Sequence, residues 1–281
     1  MLKKQEKIIK GFPLYFLKIP FDSIIVTLLK EMEIMGRPLQ SLPVHENPDG
    51  SFASLLSPEE FERFQARTHL AHKRAGTYLY REEDPSDYFY FLYEGTVKIQ
   101  KGTSDGKELT ITLLGRGDLA GEYGSLQAVR HDFSAKVAAA STVGVIKKTE
   151  IEALIRDSGA FSLKMMRWMG SNTLKEQSKF RDLLLYGKNG ALASTLIRLS
   201  TTYGAARENG TVVLQLKLTN AELGEHIGLS REGVNRCLNE WKKAGVLSYE
   251  NGLIVIHDML YLRRQCNCPL HNLCSSDICR L

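Results

Sequence analysis

Thr219-Asn220-Ala221-Glu222-Leu223-Gly224-Glu225-His226-Ile227-Gly228-Leu229-Ser230-Arg231-Glu232-Gly233-Val234-Asn235-Arg236 is the stretch that decides the fold. Thr219 and Glu222 have capping-box spacing, in which hydroxyl and carboxylate each satisfy an exposed N–H, so a short helix is predicted to Ile227. Gly228-Leu229 makes a tight turn. Ser230 caps a second helix to about Ala244, with Val234, Leu238 and Trp241 spaced for one buried face. Gly245 ends it. Val246 to Tyr249 and Leu253 to Ile256 then flank Glu250-Asn251-Gly252, an Asn-Gly hairpin signal. Helix, turn, helix and wing make a winged helix-turn-helix, which presents the start of its second helix to the major groove. The residues so placed are Ser230, Arg231, Glu232, Asn235 and Arg236. An arginine fork fits guanine O6 and N7, and a glutamate accepts from cytosine N4. Lys242 and Lys243 suit phosphates, which position the helix without reading bases. Double-stranded DNA is the expected partner.

Upstream, Thr211 to Leu218 alternates as a strand and Ala191 to Tyr203 is an amphipathic helix. The run Tyr186-Gly187-Lys188-Asn189-Gly190 forms a hinge. Before it, Phe161 to Leu185 reads as a long helix. Met166, Met169, Thr173, Phe180 and Leu184 recur along it at steps that suit a homodimer seam. From Gly76 to Val145 the period falls to two, predicting an antiparallel barrel or roll. Within it Glu94-Gly95 reads as a turn, and Thr96 to Gln100 should pair with Lys107 to Leu114. Ser57-Pro58-Glu59-Glu60 opens a short helix to about Arg67. The expected fold class is therefore α+β.

The 281 residues carry 37 Lys+Arg against 32 Asp+Glu, a net charge of +5, with 43% hydrophobic residues. This excludes a disordered or collagen-like chain. The apolar stretch Gly11 to Met35 is interrupted by charges, so neither a membrane span nor a secretory signal is expected, and the compartment is predicted to be cytoplasmic. Met35 offers an alternative start. Seven scattered histidines form no catalytic constellation, and no enzyme is expected. Cysteine usage is asymmetric. Cys237 stands alone as a packed thiol, while Cys266, Cys268, Cys274 and Cys279 crowd the tail, where thiolates suit zinc or an iron–sulfur cluster.

Residues from about Leu55 to Leu281 resemble the Crp/Fnr superfamily of bacterial transcription regulators, and Ser230 to Arg236 is similar to the recognition helix of its cyclic-AMP receptor members. The resemblance implies base contacts by Arg231, Glu232 and Arg236, a TGTGA-like inverted repeat, and RNA polymerase as a further partner. It also divides the chain: an N-terminal extension of unknown role (1–44), a cyclic-nucleotide-binding-like β-roll (45–150), a dimerisation helix with hinge (151–188), the winged helix (189–264) and a cysteine-rich tail (265–281). Where cyclic-AMP-binding members carry arginine, this chain has Phe133, which cannot pair with a phosphate. No cofactor is therefore expected in the β-roll, with Glu122 a remnant and Arg130 the nearest substitute cation.

Thr103 to Thr110, Gln177 to Leu185 and Ser194 to Ser200 carry a closer resemblance to the Bacillus-type Fnr subgroup. That subgroup holds a [4Fe-4S] cluster through three tail cysteines and an aspartate. The resemblance implies Cys268, Cys274, Cys279 and Asp182 as ligands, with Cys266 an alternative. Zinc is the other metal this donor set suits. The gap from Cys268 to Cys274 is longer than the subgroup's pattern, while that from Cys274 to Cys279 agrees. Outside the resemblance, a carboxylate such as Asp182 at a helix end is ordinarily solvated.

Overall fold

The structure, a computed structural model, describes residues 50–103, 106, 108–123, 130–268, 279 and 280. The N-terminal extension and Cys274 lie outside the described residues, all of which belong to the unit Pro38–Leu281.

Helix α1 (Pro58–Gln65) starts as its sequence predicts: the Ser57 side chain accepts from Glu60 N, and Glu60 returns a carboxylate to Ser57 N at 2.7 Å. The antiparallel roll comes next, with β1 (His69–Lys73), β2 (Tyr78–Tyr80), β3 (Tyr88–Gly102), β4 (Glu108–Leu114), β5 (Leu119–Ala120) and β6 (Ser134–Lys147). The sheet order is β1-β6-β3-β4, with β2 on β6 and β5 on β3. The expected hairpin forms, running from Val97 opposite Leu114 to Gly102 opposite Glu108. The expected turn at Glu94-Gly95 does not. β3 continues through it with register shifts around Glu94 and Thr96, and Gly95 has φ 95°. A Cβ there would sit 2.1 Å from Ser141 Oγ, so glycine serves a bulge beside β6.

Helix α2 (Lys148–Asp157) leads into α3 (Gly159–Tyr203). Phe161, Met165 and Trp168 at the start of α3 complete an aromatic core with Phe52, Phe64 and Phe91. Gly187, within the expected hinge, breaks the helix with φ 61° and ψ −162°. The limb beyond it buries Leu192, Leu196 and Leu199 in a second core with Leu223, Val234, Leu238 and Trp241.

That second core is covered by β7 (Gly204–Ala206), β8 (Val212–Leu214), α4 (Asn220–Glu225), α5 (Arg231–Lys243), β9 (Leu247–Glu250), β10 (Leu253–Ile256) and α6 (Met259–Gln265). The wing turn has φ 51° at Asn251 and 80° at Gly252, the pair of positive values that a two-residue hairpin loop requires. Two expectations change here. The strand expected over Thr211 to Leu218 pairs only through Leu214, because Gln215 N turns to Tyr203 O and the chain leaves the sheet for the Thr219 cap. The wing is not an isolated ribbon but two strands of a four-stranded sheet ordered β7-β8-β10-β9.

Candidate nucleic-acid interface and thiol pocket

α4 and α5 are positioned by local capping and by a close backbone approach. Leu229 N donates to Gly224 O at 3.0 Å, and a Cβ on Gly224 would lie 2.2 Å from Leu229 O. Ser230 Oγ accepts from Gly233 N at 3.2 Å. With Val234, Cys237, Leu238 and Trp241 buried, α5 turns Arg231, Glu232, Asn235 and Arg236 outward together, and Ser230 is exposed beside them. The five residues chosen from sequence thus share one open face. Asn235 Oδ1 accepts from Asn220 Nδ2 at 3.1 Å, which ties that amide to the first helix. Lys242 and Lys243 are exposed at the far end of α5. Burial pushes the Cys237 thiol up to about 11, as befits a packed side chain.

On α3, the seam residues Met166, Met169, Thr173, Phe180 and Leu184 are all exposed, Leu184 to 79%. Among the described residues, so much apolar surface on one helix lacks cover.

Behind the winged helix, Cys266, Cys268 and Cys279 line one small cleft with Asp182, Ser194 and Arg198. The approach of α6 to α3 creates it: at Gly190 a Cβ would meet Gln265 O at 2.9 Å. Asp182 is not solvated. It is 2% exposed and accepts from Ser194 Oγ at 2.5 Å, Arg198 Nη2 at 3.0 Å and Arg181 Nε at 2.9 Å. Arg198 also donates to Ser178 Oγ at 2.8 Å. The Cys266 thiol faces Leu262 O and Arg263 O at 3.6 Å, and burial, with Cys268 and Asp182 adding to it, pushes it up to about 11. Thr201 Oγ1 lies 3.8 Å from Cys279 Sγ. Three soft thiols and one carboxylate around one cleft form a donor set that fits an iron–sulfur cluster or zinc. Among the described residues no three donors converge closely enough to hold an ion as they stand, and the Asp182 oxygens are engaged by arginines.

The β-roll has its own cavity of about 160 Å³, lined by Tyr80, Glu122, Phe133 and, from α3, Lys175. Glu122 Oε2 accepts from Asp132 N at 2.9 Å. Arg130 does not replace the missing cation: its guanidinium donates to Glu83 O. Two residues that sequence reasoning missed stand at this cavity. Arg280 is 5% exposed with Nη2 3.7 Å from Asp118 Oδ2. Burial pushes the Asp118 carboxyl up, against the pull of Arg280.

The winged helix also touches the roll directly. Glu225 Oε2 accepts from Lys98 Nζ at 2.7 Å and from Thr110 Oγ1 at 3.1 Å. Beside it His226 is half-buried. Burial, then Lys179 and Lys98, push its imidazole down to about 3.

Residues 70–158 match the cyclic nucleotide-binding domain, and residues 190–265 match the Crp-like helix-turn-helix domain. The chain is 39% identical over 232 residues to the anaerobic regulatory protein of Bacillus subtilis, covering 81% of this chain and 97% of that protein. It is 25% identical over 190 residues to a CRP-like cAMP-activated global transcriptional regulator of Mycobacterium tuberculosis, covering 68% and 84%. Among solved structures, FixK2 from Bradyrhizobium japonicum superposes with a TM-score of 0.61 at 20% identity, covering 70% of this chain and 96% of that one. The regulator CLP of Xanthomonas campestris gives 0.62 at 20% identity, covering 72% and 100%.

Proposed function

The chain belongs to the Crp/Fnr family of DNA-binding transcription regulators and is not an enzyme, and from that premise we propose that it is an oxygen-responsive member. In this reading it binds a TGTGA-like inverted repeat as a dimer while its tail holds a [4Fe-4S] cluster. The observation that carries the reading is the cleft in which Cys266, Cys268 and Cys279 meet Asp182. The Bacillus relative's description as an anaerobic regulatory protein supports oxygen as the signal. Cys268, Cys279 and Asp182, with Cys274 from outside the described residues, would hold the group, and Cys266 is the alternative thiol. When bound, such a cluster supplies bonds to these donors that oxygen breaks.

The chain's own residues do the rest. A docked tail fastens α6 to both limbs of α3 across Gly187, whose positive φ makes it the pivot. The seam from Met166 to Leu184 joins two such helices and sets the separation of two recognition helices. Arg231, Glu232 and Arg236 then read bases in each half-site, while Ser230, Lys242 and Lys243 hold phosphates. Releasing the tail frees the pivot and populates orientations that cannot engage both half-sites. RNA polymerase is the proposed partner once DNA is bound, and the cytoplasm is the compartment in which the chromosome is reached. No helix among the described residues is long and apolar enough to cross a membrane.

A second reading has its own support: the cleft is only about 20 Å³, which suits a single zinc ion better than a cluster. In that case the tail is a structural zinc site and the β-roll takes a small effector. Anaerobic purification, visible absorption, metal analysis and DNA binding before and after air separate the two. Iron with a brown chromophore, and specific affinity lost in air, is the expected result. Stoichiometric zinc with oxygen-insensitive binding establishes the second reading, and a metal-free protein indifferent to air overturns both.

A further inference from the structure

A guanidinium is costly to bury unless a carboxylate meets it. Arg280 is nevertheless 5% exposed. Its partner Asp118, 8% exposed, lies on the far side of the domain boundary, in the β-roll turn between β4 and β5. The same Asp118 Oδ2 accepts from Gly115 N at 2.9 Å, so the carboxylate that meets Arg280 also closes this turn. The β-roll cavity there lacks a cation of its own at Phe133, and Arg280 enters its lining beside Glu122 and Lys175. One residue earlier, Cys279 lines the Asp182 cleft. Adjacent α-carbons are about 3.8 Å apart, so Cys279 cannot leave its cleft without drawing on Arg280.

We propose that Arg280 is an internal ligand of the β-roll, seated on Asp118, so that docking of the tail and closure of the Asp118 turn are one event. The tail then has two anchors, thiols packed against α3 and a guanidinium in the roll, and the state of the first reaches the second. The proposal rests on the tail being docked at the thiol cleft and stands whatever group the thiols hold.

Hydrogen exchange on the full-length reduced protein tests it, read at the amides of residues 115–120. Arg280→Ala is expected to speed exchange at the Gly115 turn about tenfold or more, whereas Arg280→Lys, which keeps the charge, stays within about threefold of wild type. Asp118→Asn should match Arg280→Ala, and the double variant should be no faster than either single, because both remove the same contact. A Cys266→Ser, Cys268→Ser, Cys279→Ser triple variant releases the tail without touching the pair and should give the same acceleration. If Asp118→Asn fails to fold, the two Arg280 variants and the triple variant decide. Unchanged exchange in Arg280→Ala, or in the triple variant, overturns the proposal. Oxygen-insensitive DNA binding alongside the expected exchange pattern would sink the oxygen reading and leave the internal ligand standing.

Discussion

Replacing Asp182 with alanine removes one carboxylate from a site where Arg198 has 6% of its side chain exposed. Truncating one partner of a buried ion pair costs about 3–5 kcal/mol, because the other charge stays behind without its counter-ion. The Arg181 side of the pair is half exposed and adds at most about 1 kcal/mol. The expected loss is thus about 3–5 kcal/mol, roughly a hundred- to several-thousandfold in the folded-to-unfolded ratio. Asp182→Asn keeps an acceptor for Ser194 but loses the charge, and should cost about 1.5–3 kcal/mol. Adding Arg198→Met to Asp182→Ala removes the stranded cation and should recover most of the loss. The assay is urea unfolding of the reduced, metal-free chain at fixed concentration. Emission from Trp241, buried in the winged-helix core, tracks the transition. A loss under about 1 kcal/mol for Asp182→Ala, or a double variant no better than the single, would refute the reading of Asp182 and Arg198 as a buried ion pair joining the two limbs of α3.

At the recognition helix, Arg231→Ala should weaken binding to a TGTGA-like site by about 1–3 kcal/mol and leave random DNA nearly unaffected. Lys242→Ala should weaken both and reduce the salt slope by about one, which competition binding at several salt concentrations will read. Met166→Glu with Leu184→Glu places charge in the exposed apolar seam; sedimentation should then give a monomer, and a dimer would disprove the seam. His226 supplies a pH dependence. Its folded pKa lies near 3, below the ordinary 6.5, so its contribution is complete above about pH 6.5 and is lost as pH falls toward 3. Between pH 7 and 5 the wild type should lose more stability than His226→Asn, and parallel curves would count against the packed, neutral imidazole.

Much of the winged helix is legible in sequence because its signals are local: Ser230, Thr219 with Glu222, and Asn251-Gly252 each act within four residues. Gly95 reads wrongly as a turn because a turn and a bulge both ask for a positive φ, and only the partner strand at Ser141 distinguishes them. Asp182 reads wrongly as solvated for a related reason. Its partners Ser194 and Arg198 lie 12 and 16 residues away, across a break at Gly187 that folds the second limb of α3 back toward the first. Periodicity registers a carboxylate near a helix end and is blind to that geometry. The thiol cleft depends in turn on α6, a short helix whose only local announcement is the Asp258 cap accepting from Tyr261 N.

The buried state of Asp182 has a mechanistic consequence. Any group held by the tail thiols must compete for Asp182 with Arg181, Arg198 and Ser194, so the metal-free cleft is itself a satisfied state with a buried ion pair and no stranded charge. A sensor needs two states of comparable stability if a change at one donor is to move the balance between them. In the proposed sensor the Asp182–Arg198 pair would stabilise the metal-free cleft, and Gly187 would let the winged helix change its orientation. The tail cysteines alone would make a clamp, and Arg198, competing for the same carboxylate, would make that clamp reversible.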